Sequence, residues 1–318
     1  MNPTEISGIA SIVYSIFVVL IGYVIGRIFF KIEDRSLSIA CLFVFAPAFL
    51  FRQALGQHLS AHLFTLIFFY LFFHTGIMLL AARGLFRLLN IPRAMGHLYL
   101  VNILIVSILG LRWFQTVLGA PDQAVETINT FIFFHLALCA TLGVYMGSGN
   151  DRFIDSAFEM LKTPLVYAIG LGLPLAAIGI PLHFDILDGV DSLLNAMLPV
   201  GLLVVGIIWG RYIFFGQAKE YAAFLPGIVL CVIMKMIVSP AAALLISKIM
   251  GIHDATIQRA FILSSAAPTG VFAALLVSFY GKANEKRFTV FCIVLTTAVA
   301  FITIPLLRIL LDRLYPLS

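Results

Sequence analysis

Charged residues are scarce in this sequence. Asp, Glu, Lys and Arg together make up 11% of its 318 residues, whereas hydrophobic residues make up 62%. A soluble domain carries about 25% charged residues because its surface must face water. With a mean hydropathy of +1.08, this chain is expected to face lipid along most of its length. The composition therefore excludes a sizeable soluble domain and predicts an integral membrane protein.

Acidic residues avoid the interior of the apolar runs altogether. All 15 Asp and Glu residues lie in polar segments or near the ends of those runs. A carboxylate inside the membrane is what a cation transporter commonly uses to hold sodium ions or protons. Its absence from this sequence favours an anionic solute.

Motifs for enzymatic chemistry are missing as well. The sequence has no Walker-type or GxGxxG phosphate loop, and His58 and His62 lack the glutamate of an HExxH zinc motif. The net charge of +5 is not gathered into a basic patch, so no nucleic-acid partner is expected. Four cysteines lie inside apolar runs and predict small packing residues without disulfides: Cys41, Cys139, Cys231 and Cys292. We expect no enzyme activity, metal or cofactor, and a gradient as the energy source.

The chain contains ten apolar runs long enough for membrane helices. A span needs about 20 apolar residues to cross the hydrocarbon. The runs lack the alternation of a membrane barrel, so the predicted fold is all-α and polytopic. The predicted spans are 9–30, 36–55, 62–82, 94–118, 127–147, 162–181, 192–210, 223–248, 258–280 and 288–310.

The distribution of Lys and Arg predicts the orientation. Thirteen of the 20 lie beside loops that follow odd-numbered spans, and five lie on the opposite side. The remaining two, Arg112 and Lys235, fall within spans. Because basic residues stay in the cytoplasm, both termini are expected outside it.

Two halves of five spans each are predicted, residues 1–148 and 162–318, joined by a central cytoplasmic loop at 149–161. Since five is odd, the second half enters the membrane in the opposite sense, which is typical of an inverted repeat. Corresponding spans carry similar features: Pro47 in span two matches Pro199 in span seven. We interpret these prolines chiefly as helix distortions that support a crossing region, and include them among the candidate solute-binding residues.

Span nine contains a cluster of helix-interrupting and hydroxyl residues near its middle: Ser264, Ser265, Pro268, Thr269 and Gly270. Proline removes a backbone donor, and the hydroxyls offer groups to a solute. An interrupted helix frees peptide groups for binding at the membrane midplane. An ordinary proline kink is the alternative.

Span four carries Asn102 between apolar residues, at the place where span nine has Pro268 and Thr269. A buried amide either bridges helices or faces a cavity, and its place in the repeat favours the cavity. Lys235, near the middle of span eight, marks a functional site by default. The alternatives are a structural partner for the carbonyls of a broken helix and a lysine that is held neutral.

Three further residues are secondary candidates. His74 and His135 are potential proton-coupling groups, although a lone histidine is more often a packed, hydrogen-bonded one. Arg112 lies nearer the outer end of span four, where it either contacts solute or extends to the interface.

Five short segments, in order, resemble the auxin efflux carrier family in its bacterial form. They are GYVIGR (22–27), LFVFAPAFLF (42–51), MLPVGLLVVG (197–206), KMIVSP (235–240) and SSAAPTGVFAALLVSFYG (264–281). The resemblance implies a scaffold and a transport domain, with spans four and nine broken and crossing beside the substrate. Asn102, Pro268 and Thr269 match the two crossings. Ser107 and Leu109 stand where the family has glycine and proline. A continuous fourth helix is therefore the alternative to a broken one.

These features together predict a secondary transporter, an exporter, of a small organic anion such as a mono- or dicarboxylate. A sodium- or proton-coupled symporter of the bile-acid type is the first alternative. A non-transporting receptor or pore is the second. Membrane lipid is an expected partner. The resemblance suggests a homodimer through the scaffold, in a bacterial inner (plasma) membrane.

Overall fold

The structure is a computed structural model that describes residues 3–29, 32–55, 61–107, 122–148, 153–178, 184–213 and 218–315. Within these ranges the chain is helical apart from short connections, and its only strand-like pairing is one isolated bridge between Val106 and Thr269. The predicted all-α class is therefore confirmed.

The helices are numbered here in chain order. They are α1 Pro3–Ile28, α2 Asp34–Leu55, α3 Ala61–Leu88, α4 Arg93–Leu104, α5 122–148, α6 Phe153–Lys162, α7 Pro164–Ile178, α8 Phe184–Tyr212, α9 218–249, α10 Ala255–Ser265, α11 Val271–Tyr280 and α12 Ala283–Leu314. Six of them are long and apolar enough to cross a membrane, namely α2, α3, α5, α8, α9 and α12. Shorter apolar helices lie in α1, α4, α7 and α11. Each predicted span overlaps one of these ten helices, so the predicted count of ten is compatible with the structure.

Three of the long helices contain a single π-helical turn, in α2 at Cys41–Phe45, in α5 at Cys139–Gly143 and in α9 at Met234–Val238. Pro47 and Pro240 each follow such a turn by two residues. A proline ring clashes with the carbonyl four residues earlier, and a wider turn gives that carbonyl room. The sequence showed the prolines, but the change in helical pitch before them was not predicted.

The segment between the two halves is not an irregular loop, because α6 occupies most of it. Asp155, Glu159 and Lys162 supply its polar residues, whereas Phe158 and Leu161 are exposed apolar residues, at 62% and 52% of their surface. A short helix with both kinds of surface suits the membrane interface.

One group of helices consists of α1, α2, α7 and α8, called the scaffold group below. α1 packs along α8 with their backbones in close approach, because Gly22 and Gly26 face Gly206 and Gly210. A Cβ at any of these glycines would meet the backbone of the opposite helix. The hydrophobic effect does not drive helices together in lipid, so they associate through close packing. Glycines spaced four residues apart allow the two backbones to approach closely enough for it. The GYVIGR segment thus has a structural reason for its glycines.

The remaining helices apart from α6 form a second group, called the crossing group, which consists of α3, α4, α5 and α9 to α12. α3 packs on α5 and α9, α10 packs on α5 and α9, and α12 packs on α9 and α11. The groups meet mainly where α11 lies against α2 and α8, where α12 lies against α8, and where α5 lies against α2 and α7. In the scaffold group, α1 pairs with α8 as α7 pairs with α2. That exchange of partners between halves is what an inverted repeat predicts.

Candidate functional site

Two extended segments cross at the centre of the crossing group. α4 ends at Leu104, and Ile105 is extended with φ −78° and ψ 117°. α10 ends at Ser265, and the chain resumes as α11 at Val271. The Ser107 N–H donates to the Pro268 carbonyl at 2.8 Å, and the Gly270 N–H donates to the Ile105 carbonyl at 3.0 Å. Segments 105–107 and 266–270 are called the crossing below. The interruption predicted in span nine is present. In span four the helix ends at Leu104, within the predicted span, whose part after residue 107 lies outside the described residues.

Span four ends its helix without the glycine and proline that the family resemblance led us to expect. The freed peptide groups instead find partners on other helices. The Val106 N–H donates to His135 Nε2 at 2.8 Å, and the Ile105 carbonyl accepts from Lys235 Nζ at 2.8 Å. Since a buried peptide group without a partner is costly, these contacts stabilise the break.

Lys235 lies in the π-helical turn of α9 and is 1% exposed. Its ammonium group donates to the Ile105 carbonyl and forms no ion pair with any residue in the described ranges. A charge at this depth is expensive unless something compensates it. Of its three N–H donors, the carbonyl uses one. The structure therefore places a buried amine, without an ion pair in the described ranges, beside the crossing.

The two histidines bind backbone and side-chain groups around the crossing. His135 on α5 accepts from the Val106 N–H. His74 on α3 has its Nε2 3.2 Å from both the carbonyl and the hydroxyl of Ser239. The Ser239 hydroxyl donates in turn to the Ser265 carbonyl at 2.8 Å. His135 thus binds the segment that follows α4, whereas His74 reaches the end of α10 only through Ser239. Proton coupling remains a prediction.

Asn102 and Thr269 join the two halves of the site. Asn102 is fully buried, and its Nδ2 donates to the Leu98 carbonyl at 2.9 Å and to Thr289 Oγ1 at 3.1 Å. The Thr269 hydroxyl donates to the Asn102 carbonyl at 2.9 Å. Asn102 Oδ1 is buried and has no hydrogen-bond partner among the described residues. Its free acceptor lies next to the crossing.

Sequence reasoning missed two threonines of α12 that support the crossing. Thr289 contacts the side chain of Asn102, and Thr296 Oγ1 accepts from the Thr269 N–H at 3.0 Å. They are seven residues apart, so they lie two turns apart on one face of the helix. A pair of buried hydroxyls at this spacing in an apolar span was the signal available.

The other predicted residues fall at different distances from the crossing. Ser264 Oγ is buried without a partner in the described ranges, and the Ser265 hydroxyl donates to the Ile262 carbonyl at 2.6 Å. Pro47 and Pro199 are half-buried within α2 and α8 of the scaffold group. Arg112 lies outside the described residues.

Space beside the crossing is small in this conformation. A cavity of about 20 Å³ is bounded by Val106 and Ser107 of the crossing, by Met197 and Leu198 before Pro199, and by the start of α11. Such a volume admits about one water molecule. This cavity is therefore too small for an organic solute.

A much larger cavity, of about 690 Å³, opens at the predicted cytoplasmic ends of α3, α4 and α5. No acidic residue of the described chain lines it. Its polar lining residues are Arg83, Arg87, Asn90, His97 and Tyr145, and apolar residues complete the wall. Neither arginine forms an ion pair with a described residue. We call this cavity the vestibule; its charge favours anions.

Interrupted helices that meet at a buried cation, inside a membrane bundle, are the arrangement of a transporter. Residues 154–308 match the family model described as a membrane transport protein. This is the domain of the auxin efflux carrier family, and the chain carries it over its second half.

The matched family comprises transporters, not enzymes, so the chain is an integral membrane transporter of the auxin efflux carrier type. The matched range includes Lys235 and segment 266–270, whereas Asn102 and segment 105–107 precede it. No curated protein matches the chain. Among the described residues, no group of three His, Cys, Asp or Glu side chains is placed to hold a metal ion.

Proposed function

We propose that the protein is a secondary transporter that exports a small organic anion, a mono- or dicarboxylate, through alternating access at the crossing. The observation that carries this proposal is the buried ammonium of Lys235, 2.8 Å from the Ile105 carbonyl and without a carboxylate partner in the described chain. An anionic solute would supply the missing counter-charge. A cationic solute would add to the repulsion.

Backbone dipoles at the crossing act in both directions, and the lysine tips the balance. The N-terminus of α11 begins at Val271, directly after the crossing, and its positive end favours an anion. α4 and α10 also end at the crossing, and the C-terminal end of a helix dipole is negative. Lys235 satisfies the carbonyl that follows α4 and still has two donors for a carboxylate. The sum therefore favours negative charge.

Movement of the crossing group against the scaffold group would expose the site to one side and then the other. The vestibule supports export, because it concentrates anions at the predicted cytoplasmic end. In this proposal the solute enters from the vestibule side and leaves at the opposite face. The protein would act in the bacterial inner membrane, in contact with lipid and as a homodimer.

Neutralising the vestibule is expected to weaken apparent affinity more than maximal rate. In the double variant Arg83→Gln/Arg87→Gln, KM for the anion should rise about three- to tenfold with little change in kcat, because steering charges act on encounter. The effect should shrink at high salt, since screening diminishes what those charges contribute. Initial rates of solute movement, measured from the vestibule side at several ionic strengths, check this. An unchanged KM at low salt would remove the vestibule from the route.

The function itself is tested with purified protein in proteoliposomes and a panel of labelled mono- and dicarboxylates. We expect saturable flux and counterflow exchange for at least one carboxylate, with no response to organic cations. Uptake that depends strictly on a sodium gradient would favour the bile-acid type of symporter. Ohmic single-channel currents without counterflow would identify a pore, and binding without any flux would identify a receptor.

A further inference from the structure

A buried ion cluster lies at the predicted cytoplasmic end of the bundle, away from the crossing. At its centre is Asp34, the first residue of α2, which is 2% exposed. Its Oδ2 accepts from Lys286 Nζ at 2.7 Å and from the Ser278 hydroxyl at 2.6 Å. Its Oδ1 accepts from Arg211 Nη1 at 3.4 Å and from the Tyr212 hydroxyl at 3.3 Å. The carboxylate is thus fully satisfied by four side chains.

The four partners divide between the two helix groups. Arg211 and Tyr212 end α8 and belong with Asp34 to the scaffold group, whereas Ser278 on α11 and Lys286 on α12 belong to the crossing group. Two other ion pairs stay within one group. Arg52 with Asp191 joins α2 to α8, and Arg259 with Asp312 joins α10 to α12. The Asp34 cluster therefore bridges a boundary that those pairs do not.

We propose that the Asp34 cluster is a latch that holds the scaffold and crossing groups in the conformation with the crossing shut. This inference rests on the proposed alternating access, and names the residues that set its conformational equilibrium. It concerns side chains that contact neither the crossing nor the small cavity beside it.

The latch is sensitive to position because α11 connects it rigidly to the crossing. α11 has ten residues and is about 15 Å long. It begins at Val271, next to the crossing, and Ser278 lies in its last turn. A shift of the crossing relative to the scaffold group carries Ser278 with it. Hydrogen bonds weaken steeply beyond about 3.5 Å, so a displacement of a few Å breaks both bonds that the crossing group donates to Asp34.

The division of partners also explains how the latch opens at a moderate cost. When the groups separate, Asp34 keeps Arg211 and Tyr212, so its buried charge is never left without a cation. Lys286 moves away with the crossing group. It lies in the first turn of α12, at the predicted cytoplasmic end of the bundle. Opening therefore breaks one ion pair and one hydroxyl hydrogen bond. The free energy of one ion pair and one hydrogen bond shifts a two-state equilibrium but still allows the open state to be populated.

The test measures how often the crossing opens, with no solute present. Cys41, Cys139, Cys231 and Cys292 are replaced by Ala, and Ser107→Cys serves as the reporter because Ser107 is 8% exposed beside the closed cavity. Asp34→Asn and Lys286→Gln should each raise the labelling rate by a water-soluble maleimide about tenfold. Ser278→Ala should raise it less, since it removes a single uncharged donor.

Matched controls separate a latch from general destabilisation. Arg52→Gln and Asp191→Asn break an ion pair within the scaffold group and should leave labelling unchanged. Equal labelling in the parent, Asp34→Asn and Ser278→Ala would overturn the latch, as would an equal rise in Arg52→Gln. The labelling experiment contains no solute, so its result is independent of the flux experiment. The latch can be overturned while carboxylate flux is observed, and flux can be absent while the latch is supported.

Discussion

Lys235→Met is expected to reduce carboxylate flux by at least about tenfold. The substitution keeps the length and apolar stem of the side chain but removes the cation that the crossing presents to an anion. A hydrogen bond to a charged group contributes about 1.5–3 kcal/mol, which corresponds to roughly ten- to a hundredfold in binding. Initial flux in proteoliposomes, as a function of solute concentration, measures the loss.

The same experiment distinguishes a solute contact from a helix support. If Lys235 served only to satisfy the Ile105 carbonyl, Lys235→Met would lower thermal stability in detergent and leave KM for the anion unchanged. We expect a raised KM in protein that still elutes as one folded species. Lys248→Met is the matched control, because Lys248 lies on the same helix but is exposed. Its flux should equal that of the parent.

Gly270→Ala is expected to abolish transport and lower the thermal unfolding midpoint by several degrees. Gly270 has φ −82°, a value that any residue adopts, so the penalty is steric. A Cβ there would meet the Val106 carbonyl and press the two crossing segments apart. The bonds at risk are the Gly270 N–H to the Ile105 carbonyl and the Ser107 N–H to the Pro268 carbonyl. Buried peptide groups left unpaired cost about 1–3 kcal/mol each.

Gly76→Ala is the control for this prediction. Gly76 lies within α3, and a Cβ at Gly76 would meet no atom within 4 Å. Alanine also favours a helix over glycine by about 1 kcal/mol, so stability should hold or rise. Flux and melting in detergent are compared for the two variants. Normal transport by Gly270→Ala would show that the crossing does not require this close approach.

Prediction of the broken helices differed between the two halves for a physical reason. Span nine carries its interruption in local chemistry, since Pro268 lacks an N–H and Gly270 permits a close contact. Span four has neither at the corresponding place, and its break depends on His135 and Lys235, which are 29 and 130 residues from their partners. Local residue types indicate the first kind of break and give no sign of the second.

The Asp34 cluster shows the same limit for charges. An Asp at the edge of an apolar run predicts an interfacial residue, as the sequence pattern does for all 15 acidic residues. Asp34 is instead buried by the ends of α8, α11 and α12. Its partners are 177 to 252 residues away in the chain. No spacing in the sequence indicates that they meet.

By itself, the sequence determined that this protein is a helical membrane transporter, where most of its helices lie, and which residues interrupt span nine. Those properties follow from hydrophobicity and local backbone chemistry, and each depends on consecutive residues. Tertiary structure alone decided which contacts hold the end of α4 inside span four, that Thr289 and Thr296 support the crossing, and that Asp34 joins two groups of helices. Those features depend on which distant side chains satisfy a buried peptide group or charge, and only the packing of helices settles that.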